Sequence, residues 1–370
     1  MTAMGRVLLV GGAGYVGSVL TGELLERGYA VRIVDRLYFG DEGLAPVRDR
    51  CETIVGDMRR LGPDLLGDCD AVVNIGGLSN DPTAEYNPSA NYEMNTVAAA
   101  ALAELAKSAG VRRYVLASSC SIYDWGVNDE GRDALQAEDA EVQPRAAYAM
   151  SKYEAERRVL ALAGESFCPV VLRKGTVYGF SPRMRYDLVV NTFVKDALAH
   201  GEITTYYGGE MWRPLVDVRD VARAYITCLE ARPETVSGEI FNVAYRNMRI
   251  SELALRVRAA LRELGVACDI RPDYSYRGVR SYRVSSRKIE RVLGFTPVVT
   301  VEDSVRDMVT RIRRGACADF DNPRYYNIRW LKLLEEAERI VGGTTSIFDV
   351  PPAATKSPVT PVSRAQGAGK

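Results

Sequence analysis

A glycine-rich turn near the N-terminus is the feature that most restricts how this chain can fold. The apolar run 7–10 leads into Gly11, Gly14 and Gly17, and a helix is predicted over 18–27. A buried strand that turns sharply into a helix needs glycine, because a side chain would block the turn and the close approach of a ligand. The free N–H groups and the dipole of the helix then attract a pyrophosphate. The pattern predicts a dinucleotide cradle.

The spacing of these glycines, G-x-x-G-x-x-G, differs from the commoner G-x-G-x-x-G, so spacing alone leaves a plain strand–turn–helix open. The second apolar strand, over 30–34, ends in Asp35, about where ribose hydroxyls would lie. A carboxylate there binds those hydroxyls and repels a 2′-phosphate, whereas Arg36 beside it is a basic residue that can hold one. The carboxylate favours NAD as the cofactor.

A tyrosine and a lysine four residues apart, Tyr148 and Lys152, form a second motif. A phenol with a pKa of about 10 is a poor base at neutral pH unless a nearby cation stabilises the phenolate. On a helix, residues at i and i+4 share one face. The alternative is a half-exposed surface pair, because a chain with 20 tyrosines contains chance matches. The position favours an acid–base site, since a strand over 113–117 and the polar run 118–123 precede the pair.

Strand-like apolar runs alternate with helical stretches through the first half of the chain. They lie at 6–10, 30–34, 52–55, 71–75, 113–117 and 169–172. This alternation predicts an α/β fold, a Rossmann-type doubly wound parallel sheet, in a domain over 1–175 to which segments at about 215–245 return. The irregular pattern over 176–340 predicts a smaller, interleaved α/β substrate lobe. Gly, Pro, Ser, Thr and Ala dominate 342–370, so a flexible tail is expected there.

Composition and charge argue against several functional classes. The 48 basic residues balance the 48 acidic residues, which gives no support to a nucleic-acid partner. No apolar run of about 18 residues and no signal-peptide pattern occurs, so we expect a cytoplasmic protein with no membrane partner. The seven cysteines are scattered without C-x-x-C spacing, which predicts neither a disulfide framework nor a metal site. His200 is the single histidine, in a predicted helix over 188–200, which argues against a histidine-based triad and leaves Tyr148 as the leading acid–base candidate.

Together these motifs resemble those of the extended short-chain dehydrogenase/reductases, in the NAD-dependent nucleotide-sugar epimerase and dehydratase branch. The resemblance extends from about residue 5 to 315. Besides the motifs above, it rests on Gly56-Asp57, Asn95, Ser118-Ser119 with Tyr123, the segment 173–179 and the segment 212–220. It implies a nucleotide-diphosphate sugar as substrate. It also implies a homodimer through helices at 90–109 and 147–163, which would otherwise simply cover the sheet.

The resemblance also implies roles for individual residues. Ser119, Tyr148 and Lys152 would be catalytic. The residues implied to bind the cofactor are Gly11, Gly14, Tyr15, Val16, Gly17, Asp35, Asp57, Met58, Gly76, Asn95, Tyr148 and Lys152. Those implied to bind the substrate are Ser79, Ser121, Asn191, Arg213, Arg277 and Tyr282. Arginines suit this task because their guanidinium groups bind a diphosphate in a bidentate way.

Several departures from the family pattern bear on the reaction. Cys120 and Ser121 occupy the positions of the Asp-Glu pair of sugar-nucleotide 4,6-dehydratases, which disfavours that dehydration. Arg185 stands about where exocyclic heptose epimerases carry a lysine base, and Lys174 or Lys195 are the alternative second bases. Asp124-Trp125, the insertion 183–186 and an acidic, lid-like loop over 129–141 predict an altered sugar pocket.

We therefore predict an NAD-dependent nucleotide-sugar epimerase that oxidises its substrate to a ketosugar and reduces it again on the other face. An unusual sugar is expected, as in pathways that make modified sugars for antibiotics or cell surfaces. The nucleotide base stays open, and so does the choice between ring C4 and an exocyclic carbon. The alternatives are a dehydratase or dehydrogenase/reductase of the same fold, or a regulatory module that binds NAD without catalysis. The retained Tyr148 and Lys152 argue against that last alternative.

Overall fold

A computed structural model describes residues 4–124, 134–275, 280–342 and 346–350. The strands in these residues are β1 (Met4–Val10), β2 (Tyr29–Asp35), β3 (Glu52–Val55), β4 (Ala71–Asn74), β5 (Arg113–Ser119), β6 (Leu135–Gln136), β7 (Cys168–Lys174), β8 (Thr176–Tyr178), β9 (Glu202–Tyr206), β10 (Trp212–Asp217), β11 (Glu239–Val243), β12 (Arg246–Arg249), β13 (Asp269–Asp273) and β14 (Arg283–Val284). The α-helices are α1 (Tyr15–Glu26), α2 (Asp81–Tyr86), α3 (Pro88–Tyr92), α4 (Ala98–Ser108), α5 (Ala147–Leu160), α6 (Val189–His200), α7 (Val218–Glu230), α8 (Pro233–Val236), α9 (Ile250–Glu263), α10 (Arg287–Leu293), α11 (Val301–Arg313) and α12 (Asn327–Ile340).

Seven of these strands form one parallel sheet in the order β11-β7-β5-β4-β1-β2-β3. The prediction of a doubly wound α/β fold is confirmed. The strand order reverses between β1 and β4, and in such sheets a crevice opens outside the carboxyl ends of the strands at this point. The glycine turn follows β1, so it lies at this crevice.

Both faces of the sheet are buried, which explains why its strands are apolar runs without alternation. In β1, Val7 and Leu9 pack in a core cluster with α1 and α7. Leu8 and Val10 point the other way, into a cluster with α4 and α5. The two clusters fix α1 and α5, the helices that carry the glycine turn and the tyrosine–lysine motif.

A second lobe is built from later parts of the chain. β10 pairs with β8 in parallel and with β12 in antiparallel orientation, and β9 pairs with β13. Helices α6, α9 and α11 pack together in a core cluster of this lobe. Within the segment 215–245, β11 lies in the large sheet, whereas β10 lies in this smaller one.

The predicted helix over 90–109 is interrupted by a π-helical turn, Glu93–Val97, which joins α3 to α4. A π turn inserts an extra residue into the helical ladder and is frequent at functional sites. Asn95 lies in this turn and is buried. The predicted helix over 147–163 is found as α5, and it ends three residues earlier.

Two predicted flexible segments are held in place where the structure describes them. Residues 129–133 of the predicted lid lie outside the described residues, but β6 follows them and pairs with β14. In the predicted tail, Ile347 and Phe348 are buried against the large sheet's core, and the Tyr38 hydroxyl donates to the carbonyl of Ile347. Two apolar side chains therefore anchor residues 346–350 to the core, and the flexible tail over 342–370 stays a prediction.

No helix in the described part of the chain combines the length and apolar character needed to cross a membrane. All seven cysteines are free. Among the described residues, no three His, Cys, Asp or Glu side chains are grouped so as to hold a metal ion.

Candidate active site

The glycine turn has the geometry that the sequence predicts. Gly11 has a φ of +85°, and its N–H donates to the carbonyl of Val34 at 2.9 Å. A Cβ at Gly17 would lie 2.2 Å from the carbonyl oxygen of Gly11, so a side chain there would force the backbone apart. Helix α1 begins after Gly14 without a side-chain cap, which leaves its first N–H groups available to an anion.

A cavity opens at this turn, and most of the residues predicted to bind the cofactor line it. They are Gly11, Gly14, Tyr15, Val16, Gly17, Asp35, Asp57, Met58 and Gly76. Asn95 lies behind the cavity wall, where its amide donates to the carbonyl of Leu78 at 2.9 Å. Ser79, predicted to bind substrate, lies in the wall of this same cavity rather than with the other predicted substrate residues.

Two arginines from the segment 183–186 also line the cavity. The Arg183 guanidinium lies 3.8 Å from the ring centre of Phe39, and it donates to the Asn327 side chain at 2.6 Å. Arg185 donates to the Ser79 hydroxyl at 3.2 Å and forms a bidentate pair with Asp187. The sequence predicts that the segment 183–186 belongs to the sugar pocket. In the structure, Arg183 and Arg185 of this segment line the cavity at the glycine turn. A pyrophosphate would therefore meet cations as well as N–H groups.

At the ribose end of the cavity, backbone hydrogen bonds hold the side chain of Asp35. The two carboxylate oxygens of Asp35 accept hydrogen bonds from the N–H groups of Ala13 at 3.0 Å and Leu37 at 2.9 Å, and burial raises the pKa of Asp35. Arg36, the residue that could hold a 2′-phosphate, donates instead to Asp57 at 3.0 Å and to the carbonyl of Asp349 at 3.1 Å. The anchored segment 346–350 thus contacts Arg36, the basic residue next to Asp35 in the sequence.

We expect Asp35→Ala to narrow the preference for NAD over NADP. The change removes a negative charge that repels a 2′-phosphate. It also removes an acceptor for the ribose hydroxyls, while Arg36 stays paired with Asp57. NAD affinity should fall by about tenfold, which corresponds to one charged hydrogen bond. Titration calorimetry with both dinucleotides checks this, with Asp41→Ala as control, a half-buried carboxylate nearby in the sequence that pairs with Arg48. Equal affinities of the unmodified protein for NAD and NADP would contradict the expectation.

The predicted catalytic residues meet at the carboxyl end of β5. Ser119 is the last residue of that strand, and its hydroxyl lies close enough to the Tyr148 phenol to lower the pKa of that phenol. Tyr148 and Lys152 lie in the first two turns of α5, with the Lys152 Nζ 5.9 Å from the centre of the tyrosine ring. The side chains that the sequence analysis assigned to catalysis are therefore brought together.

Burial shifts the pKa values of both Tyr148 and Lys152. Burial, followed by the negative charge of Asp81, raises the pKa of Tyr148 to about 12, against the smaller effects of Arg185 and of the Ser119 hydroxyl. Burial also lowers the pKa of Lys152 to about 8, and Glu156 opposes this. Both shifts favour the uncharged phenol and amine, so positive charge nearby is needed to form the phenolate.

The predicted substrate residues are divided by the structure. Arg213 lies 5.5 Å above the Tyr282 ring, and its guanidinium donates to the carbonyl of Trp212 at 2.8 Å. The Ser121 hydroxyl is buried and finds no partner among the described residues. These three residues surround Arg280, whose Nη1 donates to the carbonyl of Ser121 at 3.4 Å and whose own carbonyl accepts from Arg213. Arg277 lies outside the described residues.

Asn191 serves the fold in this structure. Its Oδ1 accepts from the N–H of Gly179 at 2.9 Å, and its Nδ2 donates to the carbonyl of Arg185 at 2.8 Å. The amide thus closes the loop that carries Arg183 and Arg185. Its side chain is fully buried and bonded to protein groups, so in this structure it holds this loop, and its substrate role stays a prediction.

None of the second bases considered from the sequence is well placed. Although burial opposes it, Asp187 raises the pKa of Arg185, so the guanidinium stays protonated. Lys195 pairs with Asp196 at 2.5 Å. Lys174 donates to the carbonyl of Ser118 at 2.8 Å, and burial lowers its pKa to about 7. Cys120 is buried and its thiol donates to the carbonyl of Arg173 at 3.1 Å, so it turns away from the sugar side.

Asp81 and Arg280, which were not singled out from the sequence, form an ion pair, and the charge of Asp81 raises the pKa of Tyr148. Asn80-Asp81-Pro82 has the composition of a helix start, and Asn80 does cap α2 by accepting from the N–H of Thr83 at 3.1 Å. Local structure alone therefore accounts for an acidic residue at Asp81, the first position of α2. The remaining sequence signal for a function of Asp81 is its position in the connection that follows β4, at the crevice of the sheet.

Comparisons with known proteins agree with this geometry. The family model described as NAD dependent epimerase/dehydratase family matches residues 7–244. The chain belongs to this family. It is 25% identical over 319 residues to UDP-glucuronic acid decarboxylase 1 of Xenopus tropicalis, covering 84% of this chain and 72% of the relative. It is 26% identical over 311 residues to UDP-glucose 4-epimerase of Corynebacterium glutamicum, covering 79% and 91%.

Among solved structures, the chain is similar to MoeE5 in complex with UDP-glucuronic acid and NAD, at 28% identity and a TM-score of 0.71. The match covers 84% of this chain and 100% of MoeE5. The family resemblance inferred from the motifs is confirmed, and NAD is the cofactor, as predicted. The cradle at Gly11 and Gly17, which a Cβ would fill, fits a dinucleotide.

Proposed function

We propose that this protein is an NAD-dependent nucleotide-sugar epimerase, which oxidises a sugar carbinol to a ketone and reduces it on the opposite face. The observation that supports this proposal is that Ser119, Tyr148 and Lys152 come together at the carboxyl end of β5. A base aimed at an alcohol beside a hydride carrier suits reversible carbinol oxidation. Bound NAD supplies the hydride acceptor and later the hydride donor.

The residues of this chain handle the proton. The Tyr148 phenolate takes the hydroxyl proton of the sugar as its carbinol carbon is oxidised, and it returns that proton after the sugar has turned. The Ser119 hydroxyl, which lowers the pKa of the Tyr148 phenol, is proposed to orient it. Lys152 and Arg185 supply positive charge that favours the phenolate over the phenol.

The substrate diphosphate is proposed to bind at Arg213, with Tyr282 beneath it. Burial lowers the pKa of Arg213, so an anionic ligand would also relieve the cost of burying its charge. UDP-glucose and UDP-glucuronic acid are named for the 4-epimerase and for MoeE5. A nucleotide-diphosphate sugar is therefore the proposed substrate class here.

The sugar itself is proposed to be an uncommon one, as in the making of antibiotics or cell-surface sugars. Arg183 and Arg185 now belong to the cofactor cavity, and Trp125 lies outside the described residues. Ser121, whose buried hydroxyl has no partner among the described residues, and the buried Asp124 therefore support an altered sugar pocket. Decarboxylation is the second candidate reaction, because the chain is similar to a UDP-glucuronic acid decarboxylase over 84% of its length.

A homodimer is also proposed. The face formed by α3, α4 and α5 leaves Tyr92, Val97 and Met150 between 41% and 52% exposed. Three apolar residues on neighbouring helices are what a helix-to-helix interface would cover. The molar mass in solution, measured by light scattering, tests this proposal.

The proposed reaction is tested with a panel of UDP, GDP, dTDP, ADP and CDP sugars, including UDP-glucuronic acid. Epimerisation predicts an inverted sugar by NMR, with a transient absorbance of reduced cofactor and no net change in its redox state. Release of CO2 from UDP-glucuronic acid would favour decarboxylation instead. Binding of NAD without any conversion across the panel would favour the regulatory module.

A further inference from the structure

We propose that the C-terminal strap, defined as α12 together with the segment 346–350, is part of the NAD site and slows release of the bound cofactor. Within the strap, Asn327 is a positioning residue, because it holds the Arg183 guanidinium in the wall of the dinucleotide cavity. The strap lies beyond residues 7–244, which the family model matches. The inference concerns NAD binding alone, so it does not depend on which reaction the protein catalyses on a nucleotide sugar.

The first observation is that α12 forms part of the cavity wall. Asn327 and Leu331, one helical turn apart on α12, line the same cavity as the glycine turn. Leu331 is 2% exposed and packs in the core cluster that contains Val10 at the end of β1 and Val34 near the end of β2. A ligand that fills this cavity therefore meets a helix from the C-terminal part of the chain as well as the glycine turn.

The second observation is that Asn327 joins three separate parts of this wall. Its Oδ1 accepts from the Arg183 guanidinium at 2.6 Å, and its Nδ2 donates to the Ser79 hydroxyl at 2.8 Å. Its N–H donates at 3.1 Å to the carboxylate of Asp187, which pairs with Arg185. Because both arginines line the cavity, one residue of α12 helps to hold two cations beside the glycine turn.

Arg183 depends on this partner because its charge is buried. The residue is 7% exposed, and its hydrogen bond within the described residues goes to the neutral Asn327 amide. Burial and the neighbouring charge of Arg185 lower the pKa of Arg183 to about 9. An anionic ligand in the cavity offsets the cost of burying this charge. The pyrophosphate of NAD is such a ligand, and it is held best when the guanidinium is held in place.

The third observation is that the strap is also bonded to the ribose end of the cavity. The Trp330 indole N–H donates to the carbonyl of Tyr38 at 2.6 Å, and the Tyr38 hydroxyl donates to the carbonyl of Ile347. Arg36 donates to the carbonyl of Asp349 at 3.1 Å. Arg36 and Tyr38 line the cavity. The strap therefore connects the ribose side of the cavity to the side that carries the two arginines.

These contacts couple the strap to the cofactor. If the strap holds wall residues that bind NAD, bound NAD must in turn hold the strap, because coupling between two binding events is reciprocal. Release of NAD requires the same wall residues to loosen. Weakening the strap is therefore expected to act mainly on the release rate.

The release rate of NAD tests the role of Asn327. The full chain is loaded with radiolabelled NAD and mixed with excess unlabelled NAD, and rapid filtration follows the label that stays bound. Asn327→Leu replaces the amide by an apolar group of similar shape, and it should release the label about tenfold faster, the effect of one charged hydrogen bond. Leu333→Ala is the control, at a position of α12 that is 41% exposed, and it should release NAD at the unmodified rate.

A double variant separates positioning from a general structural role. If Asn327 acts through Arg183, then Arg183→Leu alone should release NAD at least as fast as Asn327→Leu alone. Adding Asn327→Leu to Arg183→Leu should then change the release rate by no more than about twofold. Effects that multiply in the double variant would show that Asn327 acts independently of Arg183, which overturns the positioning role.

Hydrogen exchange measured by mass spectrometry tests the strap without any substitution. Bound NAD should slow the exchange of backbone amides in α12 and 346–350 by about fivefold or more. Exchange in α9, which packs in the second lobe, should not change. The proposal is overturned if NAD leaves exchange in the strap unchanged, or if Asn327→Leu retains NAD as long as Leu333→Ala does. None of these readouts uses a nucleotide sugar, so a failure of the proposed epimerase reaction leaves them intact.

Discussion

Tyr148→Phe is expected to lower turnover of the nucleotide sugar by about 10²- to 10⁴-fold. The substitution removes one hydroxyl, which is the group proposed to move the proton. The ring that packs at the start of α5 stays in place, so the fold and the NAD content should be unchanged. Single-turnover absorbance and steady-state kinetics measure the loss in the oxidation step and in kcat.

A matched control lies five residues further along the same helix. Tyr153 packs in a small core cluster with Cys120 and Ile122, and it lies away from the dinucleotide cavity. Tyr153→Phe should change kcat by no more than about twofold. Undiminished turnover in the Tyr148 variant would rule out the assigned role of the phenol, whatever reaction the panel of sugars reveals.

The parts of the site that the sequence predicts are those fixed by short-range geometry. Gly11 and Gly17 are six residues apart, and the need for glycine follows from one turn between a strand and a helix. Tyr148 and Lys152 are one helical turn apart. In both cases the residues that must act together belong to one local element. Their separation in the sequence therefore predicts their relative positions in the fold.

The rest depends on contacts between distant segments. Asp81 and Arg280 are separated by 199 residues, and no local pattern relates an acidic helix start to a loop arginine. The anchoring of 346–350 is similar, because Phe348 packs against Tyr86, more than 250 residues away. The composition of 342–370 predicts a flexible tail, but the apolar side chains of Ile347 and Phe348 hold the segment 346–350 against the core. Only the three-dimensional packing shows where those side chains find partners.

The largest expected effect on stability comes from Glu156, which lies one helical turn beyond Lys152. Its carboxylate forms a bidentate pair with Arg173 of β7 at 2.7 to 3.2 Å, and both side chains are at most 3% exposed. The Ser118 hydroxyl donates to the same carboxylate, and Arg173 also donates to the Tyr123 hydroxyl at 2.9 Å. The pair therefore ties α5, which carries the catalytic residues, to two strands of the sheet.

Glu156→Gln is expected to lower the free energy of unfolding by about 3 to 5 kcal/mol, because it leaves the buried Arg173 guanidinium without a counter-charge. Urea denaturation measures the loss. Glu154→Gln is the control on the same helix, since Glu154 pairs with Arg158 at the surface and should cost less than about 1 kcal/mol. The double variant Glu156→Leu with Arg173→Met should regain about half of the loss, because no buried charge remains unpaired. If Glu156→Gln costs no more than the surface control, the ion pair does not hold α5 in place. The position of Tyr148 and Lys152 would then depend on apolar packing alone.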